Sequence, residues 1–256
     1  MKLQIIQNSA LCGDIFRMKV SRGKMKEAAP GQFVHIRCSD SYDPLLRRPF
    51  SVAGMDDGSF EIIYRVVGKG TFLLSEKKQG ALLDVIGPLG RGFPLETLSG
   101  PSVIAAGGMG IAPTLFLARK MPGRVEKFIL GAKTRELLVC SDELKKKDFD
   151  FITATDDGTC GVRGDVCSVL SSVLSDVSVS AVCACGPYEM LHSVHRIAKN
   201  NGVRALLCFE NMMACGVGAC LGCAIRTCED GKSTYRRVCK DGPVFNGEII
   251  EWEDPA

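Results

Sequence analysis

Apolar and polar positions change rhythm about a hundred residues into the chain. Before that point, short runs alternate or are continuously apolar at residues 3–6, 15–20, 32–38, 50–53, 60–67 and 82–86. Gly and Pro punctuate them at Pro30-Gly31, Asp57-Gly58 and Gly87-Pro88. Short strands at this spacing predict a small antiparallel β-barrel. From Ser102 the pattern becomes strand-then-helix. Residues 102–106, 127–130, 151–154, 181–184 and 203–207 read as buried strands, with helical periodicity between them, clearest at 188–200. That alternation predicts a doubly wound parallel sheet. The remainder is short and rich in cysteine and glycine. The expected fold class is therefore multidomain, β plus α/β. It comprises a barrel over 1–98, a parallel-sheet domain over 99–207 and a small C-terminal lobe over 208–256.

Composition narrows the function classes. The 256 residues are 46% hydrophobic and 24% charged, with 32 Lys and Arg against 29 Asp and Glu. A net charge of +3 with no basic stripe among aromatics argues against a nucleic-acid binder. The basic run Lys145-Lys146-Lys147 stands beside Asp142, Glu143 and Asp148 and reads as a solvated helix end. Apolar runs break well before bilayer length, and no stretch near Met1 is built like a secretory leader. A cytoplasmic protein is expected, in which 13 cysteines remain reduced, bind metal or fill the core.

The C-terminal cysteines carry the sharpest signal. Cys215, Cys220 and Cys223 are spaced C-x4-C-x2-C, and Cys239 follows a polar, hairpin-like insert. This is the ligand order of a plant-type 2Fe–2S cluster. Gly216, Gly218 and Gly222 lie between the thiols and let backbone N–H groups approach sulfur. A zinc ribbon would need paired C-x2-C knuckles, and only Cys220/Cys223 forms one. For the fourth ligand Cys239 is preferred, on a strand expected over 236–239; Cys228 is the alternative, but lies too near Cys223 to cross to the second iron.

Two further regions suggest nucleotide chemistry. Arg47-Arg48-Pro49-Phe50-Ser51 sets arginine forks before a Pro-fixed strand, suited to phosphate oxygens. Ile63-Tyr64-Arg65 leads to Gly70 and Thr71, which open a helical pattern over 72–78. In the second domain, Gly107 to Pro113 ends one strand and opens a helix, as G-x-G-x-x-P at Gly108, Gly110 and Pro113. Cys185-Gly186-Pro187 repeats that corner, and Asp156-Asp157-Gly158 follows another strand. Such corners share one sheet edge, where dinucleotides rest on backbone N–H groups. Lys133 and Arg135 would welcome a 2′-phosphate, and Glu136 would not. No side chain is required as acid, base or nucleophile, so no catalytic residue is assigned. His35, His192 and His195 read as structural.

Together, R-P-F-S, G-x-G-x-x-P, C-G-P and the cysteine block resemble the ferredoxin–NADP reductase superfamily. Residues 209–223 and 238–245 are similar to the electron-transfer subunits of dihydroorotate dehydrogenase B. The resemblance covers essentially the whole chain. It implies FAD held by Arg48, Pro49, Phe50, Ser51, Ile63, Tyr64, Arg65, Gly70 and Thr71. It implies NAD at the glycine corners, and cluster ligation by Cys215, Cys220, Cys223 and Cys239. It implies an oxidoreductase component of pyrimidine biosynthesis whose partner is a separate FMN-containing catalytic subunit. The length agrees, since three units leave no room for a substrate barrel of roughly 250 residues. Met212, Met213 and Val217 are candidates for an apolar docking patch. A sulfite reductase or ferredoxin reductase subunit would use the same cofactors.

The ligand choice is testable. A Cys239→Ser protein is expected to lose the visible charge-transfer absorption of the cluster, and Cys228→Ser to keep it; the reverse pattern assigns the ligand to Cys228.

Overall fold

The computed structural model describes residues 1–146 and 149–252. Its first unit is a closed antiparallel barrel of β1 (Lys2–Cys12), β2 (Ile15–Ser21), β3 (Phe33–Arg37), β4 (Arg48–Met55), β5 (Ser59–Arg65) and β6 (Leu82–Leu89). The strand order is β1-β2-β5-β4-β3-β6. Closure leaves no free edge, and period-two alternation fills the interior with Met18, Val20, Val34, Ile36, Phe60 and Ile62. Helix α1 (Lys69–Ser75) links β5 to β6. It starts before the expected helical stretch because the Thr71 hydroxyl accepts the N–H groups of Val67 (2.9 Å) and Gly68 (3.2 Å). Strand β1 likewise runs beyond its apolar start to Cys12, because β2 pairs with it along nearly its whole length.

The second unit comprises β7 (Ser102–Gly107), α2 (Ile111–Lys120), β8 (Val125–Ala132), α3 (Ser141–Leu144), β9 (Asp150–Thr155), β10 (Val162–Arg163), α4 (Val166–Asp176), β11 (Ala181–Cys185), α5 (Tyr188–Asn200) and β12 (Arg204–Cys208). Every residue of β7 and β11 is buried, as parallel strands covered on both faces require. Asp165 caps α4 through the Ser168 N–H at 2.8 Å. Lys145 ends α3 and pairs with Asp142 at 3.4 Å, while Lys147 and Asp148 of the same run lie outside the described residues.

The C-terminal stretch holds a hairpin of β13 (Ala224–Glu229) and β14 (Lys232–Arg237), then β15 (Val244–Asn246). Strand β15 pairs antiparallel with β12 and completes a seven-stranded sheet ordered β10-β9-β8-β7-β11-β12-β15. Trp252 stacks on His192 (4.7 Å) and His195 (5.5 Å), tying this end to α5 and giving both histidines a packing role. Among the described residues no helix is long and apolar enough to cross a membrane.

Helix α2 joins barrel to sheet. Ile111, Leu115 and Ala118 share one apolar cluster with Ile15, Ala53 and Ile63 of the barrel. At its end Arg119 donates to the Ala53 carbonyl (3.3 Å) and to Glu143 (2.6 Å), and Arg17 of the barrel also pairs with Glu143.

Phe128, fully buried on β8, packs on Phe149 and Phe151 at 5.9 and 6.2 Å. Phe128→Ala is expected to cost about 3–5 kcal/mol in urea unfolding. Tyr42→Ala, at an 86% exposed position, should stay within about 0.5 kcal/mol.

Candidate functional site

Strand order reverses beside β7: β8 lies on one side and β11 on the other. Ligands of open parallel sheets bind at the carboxyl ends beside such a switch. A cleft of about 620 Å³ opens there, lined by Gly107 to Gly110, Gly186 and Pro187 from the sheet and by Ile15, Arg65 and Val67 from the barrel. The glycines are sterically required. Gly108 has φ 53°, and a Cβ on Gly110 would collide with the Cys185 carbonyl. Pro113 sits buried in the first turn of α2, where a missing N–H costs nothing. The Cys185 thiol does not enter the cleft. It is fully buried against the thiol of Cys208, its register partner on β12, and that contact together with burial pushes it well up. Gly186 and Pro187 are the residues of that corner that line the cleft.

Lys133 and Asp156 line the cleft, whereas Arg135 turns its backbone N–H to Thr159 (3.0 Å). Glu210 lines it too, and the sequence reading passed over it. Water reaches its side chain, but protein walls it closely and this burial raises its carboxyl pKa. The available signal was its position, one residue beyond a buried strand on the ligand-binding edge.

On the barrel, the suggested residues divide by role. Arg47 is spent internally, donating to the Asp84 carbonyl (2.7 Å) and carboxylate (2.8 Å). That pairing holds the Asp84 carboxyl below its usual range. Arg65 bonds Asp14 at 3.2 Å. Arg48 pairs with no carboxylate among the described residues. The Leu46 carbonyl orients it at 2.7 Å, and it lies against Gly70, where a Cβ would stand 3.3 Å from its Nε. A half-buried guanidinium held in place without a counter-charge suits a phosphate. Phe50 turns into the barrel rather than outward, edge-on to Tyr64 at 5.6 Å. Tyr64 is also interior, donating to Asn8 at 3.1 Å. Ile63 is buried in the seam with the second domain, whereas Pro49 and Ser51 are half-buried. For Phe50 and Tyr64, therefore, only backbone is offered to a ligand.

In the C-terminal lobe the loop from Cys215 to Cys223 curls through positive φ at Gly216 (69°), Gly218 (84°) and Leu221 (60°). The curl points N–H groups at sulfur. Val217 and Ala219 donate to Cys215 Sγ at 3.5 and 3.3 Å, and Cys239 N–H donates to Cys223 Sγ at 3.4 Å. The Val217 and Cys220 N–H groups bring the Cys215 thiol down to about 6, while burial pushes Cys239 up to about 12. The Cys215 thiol interacts with Cys220 and the Cys239 thiol with Cys223, and Cys215 also acts electrostatically on Cys239, so the four lie in one neighbourhood. Among the described residues no three such groups converge on one ion. Four thiols ordered this way along a curled loop and a following turn suit a two-iron cluster with bridging sulfides. Cys228 is exposed on β13 opposite Ser233, apart from these four.

Cys239 does not lie on the strand expected for it. Strand β14 stops at Arg237, whose guanidinium and N–H bind Asp241 at 2.8 and 2.9 Å and fold 238–241 into a turn. That pairing holds the Asp241 carboxyl down to about 2. Arg237 also donates to the Gly218 carbonyl at 2.9 Å, closing the turn over the cysteine loop. Met212 (87% exposed), Val217 (49%) and Leu221 (62%) are exposed apolar residues in and before the loop that carries exposed Cys220, whereas Met213 is half-buried against the core.

Comparison with known proteins agrees with this geometry. Residues 210–251 match the family model of the iron-sulfur cluster binding domain of dihydroorotate dehydrogenase B. The dihydroorotate dehydrogenase B (NAD(+)) electron transfer subunit of Caldanaerobacter subterraneus subsp. tengcongensis is 38% identical over 98% of both chains. That of Desulforamulus reducens is 36% identical over 88% of both. Among solved structures, NADH-dependent reduced ferredoxin-NADP oxidoreductase superposes with a TM-score of 0.85 at 30% identity, covering 98% of this chain and 90% of the other. A ferredoxin NADP+ reductase from Neisseria gonorrhoeae with bound FAD and NADP shares the fold at TM-score 0.67 and 17% identity, covering 79% and 91%. With a barrel, a switch-point cleft and clustered thiols in one chain, and relatives this similar over its whole length, the protein belongs to the family of dihydroorotate dehydrogenase B (NAD(+)) electron transfer subunits.

Proposed function

We propose that this chain carries electrons between NAD and a separate FMN-containing subunit that oxidises dihydroorotate, in pyrimidine biosynthesis. It is an oxidoreductase component and not the dihydroorotate-oxidising subunit itself. One observation carries the reading: the cysteine loop packs on barrel strand β3, whose neighbour β4 bears Arg48, so a cluster site and a flavin site adjoin. The same proposal sets the protein in a reducing cytoplasm, where its 13 thiols persist.

In this reading Cys215, Cys220, Cys223 and Cys239 ligate a 2Fe–2S cluster. Arg48 binds a phosphate of FAD beside Gly70 and Thr71. Pro49, Ser51 and Arg65 border the cofactor, and Phe50, Ile63 and Tyr64 contact it through backbone. Gly108, Gly110, Pro113, Gly186 and Pro187, with the Cys185 backbone, border NAD. When bound, FAD exchanges electrons in pairs with a nicotinamide and singly with a 2Fe–2S cluster. The chain's own residues hold and orient. The glycine corners let a dinucleotide approach the sheet edge, the Arg48 fork fixes a phosphate, and the N–H groups around Cys215 favour thiolate. Exposed Met212, Val217 and Leu221 are the apolar residues suited to a partner's surface.

A second reading rests on the 0.85 TM-score to NADH-dependent reduced ferredoxin-NADP oxidoreductase, and would give the chain a ferredoxin-linked partner. A co-purifying subunit with an FMN barrel favours the dihydroorotate reading.

Anaerobic mixing decides between outcomes. NADH alone should bleach the flavin absorbance, and dihydroorotate should do so only with the FMN subunit present; no bleaching by dihydroorotate with that subunit removes the specific assignment. Arg48→Ala should weaken FAD retention about 10–100-fold, the loss of charge-assisted bonds worth about 1.5–3 kcal/mol, measured by flavin release on dilution.

A further inference from the structure

His35 lies on β3 with no solvent exposure, yet among the described residues neither ring nitrogen closes a hydrogen bond of normal geometry. Buried polar atoms left this way cost about 1–3 kcal/mol, and an apolar side chain of similar size would avoid that cost. The surroundings explain what the ring reaches. In the barrel sheet His35 is the register partner of Pro49, next to Arg48. Its nitrogens face backbone acceptors at Arg47 and at Cys215. On the cysteine side it abuts Gly216, where φ is 69° and a Cβ would collide with Nδ1. One imidazole therefore touches the residue before the flavin arginine and the first two residues of the thiol loop. Phe33, edge-on at 6.5 Å, backs the ring from within the same strand.

We infer that His35 is a positioning residue for electron transfer, a wedge that sets where the cysteine loop stands relative to the flavin-bearing strand. Gly216 is the matching half of the contact, since only a residue without a side chain admits the ring. The inference rests on the assignment of the two cofactor sites above. It goes beyond that assignment by naming what holds them in register, on a residue that neither ligates iron nor meets the nucleotide cleft. A ring that merely fills the barrel wall would be replaceable by any side chain of its volume; a brace would not.

Three variants test it: His35→Leu keeps volume without ring nitrogens, His35→Met does the same with a flexible chain, and His35→Gln restores amide donors. The chain is purified anaerobically with both cofactors and mixed with NADH, following flavin and cluster absorbance separately. The EPR spectrum and midpoint potential of the dithionite-reduced cluster are recorded, and amide exchange of residues 214–218 is measured after iron removal. The Leu and Met variants should slow cluster reduction at least tenfold while flavin bleaching stays within about twofold. They should also shift the EPR spectrum and speed exchange in the loop, and Gln should recover most of the wild-type behaviour. If His35→Leu matches wild type in cluster reduction rate, spectrum and potential, the inference is overturned. Should His35→Leu fail to accumulate, His35→Met decides by the same readouts, and wild-type behaviour there overturns it equally. Failure of the underlying assignment looks different, since wild-type protein would then lack iron or flavin, or would not bleach with NADH.

Discussion

The apolar seam between α2 and the barrel is the contact on which the other sites depend. Ile111, Leu115 and Ala118 pack with Ile15, Ala53 and Ile63, and Arg119 fastens the end of that helix to the Ala53 carbonyl. Domains joined only by a small polar interface move relative to one another by default. Here the seam is continuous core, reinforced by a carboxylate, Glu143, shared between Arg17 and Arg119. Because α2 begins at the glycine corner and ends on the barrel, the sheet edge is held facing Arg65 and Val67. The cleft between them is thus a consequence of packing.

The thiol lobe obeys a different constraint. A segment of this size buries too little apolar surface to fold alone, so it borrows from both neighbours. Strand β15 takes the free edge of β12, Arg91 of the barrel donates its N–H to the Gly242 carbonyl at 2.5 Å, and Cys223, Val238 and Cys239 enter the same core as Phe33 and Leu207. The borrowed support lets the loop from Cys215 to Cys223 hold three positive-φ residues, one of them Leu221, in a conformation unfavourable in isolation. Val217 and Leu221 of that loop stay exposed, as apolar residues that must meet another protein would be.

Much of this was legible in the residue pattern. Buried strands such as β7 and β11 announce themselves as unbroken apolar runs, and helix α5 begins and ends where its periodicity does. The cysteine spacing also pointed to two irons, because ligand order along a loop is a local property. Less legible were contacts set by partners distant in sequence. Phe50 and Tyr64 sit in motifs that suggest ligand contact, but barrel closure turns both inward. The corner at Cys185 was legible as a place for a dinucleotide, but only β12, by setting Cys208 against it, shows where the Cys185 thiol goes. Glu210 was passed over because a lone acid beyond a strand looks like ordinary surface until the cleft around it exists.

Local chemistry was therefore decided by the sequence itself: two nucleotide-type corners, an arginine fork before a Pro-started strand, and a thiol loop with the glycines it needs. These follow from the φ freedom of glycine, hydrophobic period and ligand spacing, all of which act within about ten residues. Only the tertiary structure decided which arginine is spent on a carboxylate, that Cys239 reaches Cys223 from a turn rather than a strand, and that His35 stands between the strand bearing Arg48 and the cysteine loop. Arg47 and Arg48 are neighbours in the chain, but among the described residues only Arg47 finds a carboxylate, because β6 brings Asp84 to it. Such outcomes depend on strand register and closure, and these are set by burial summed over the whole core rather than by any one segment.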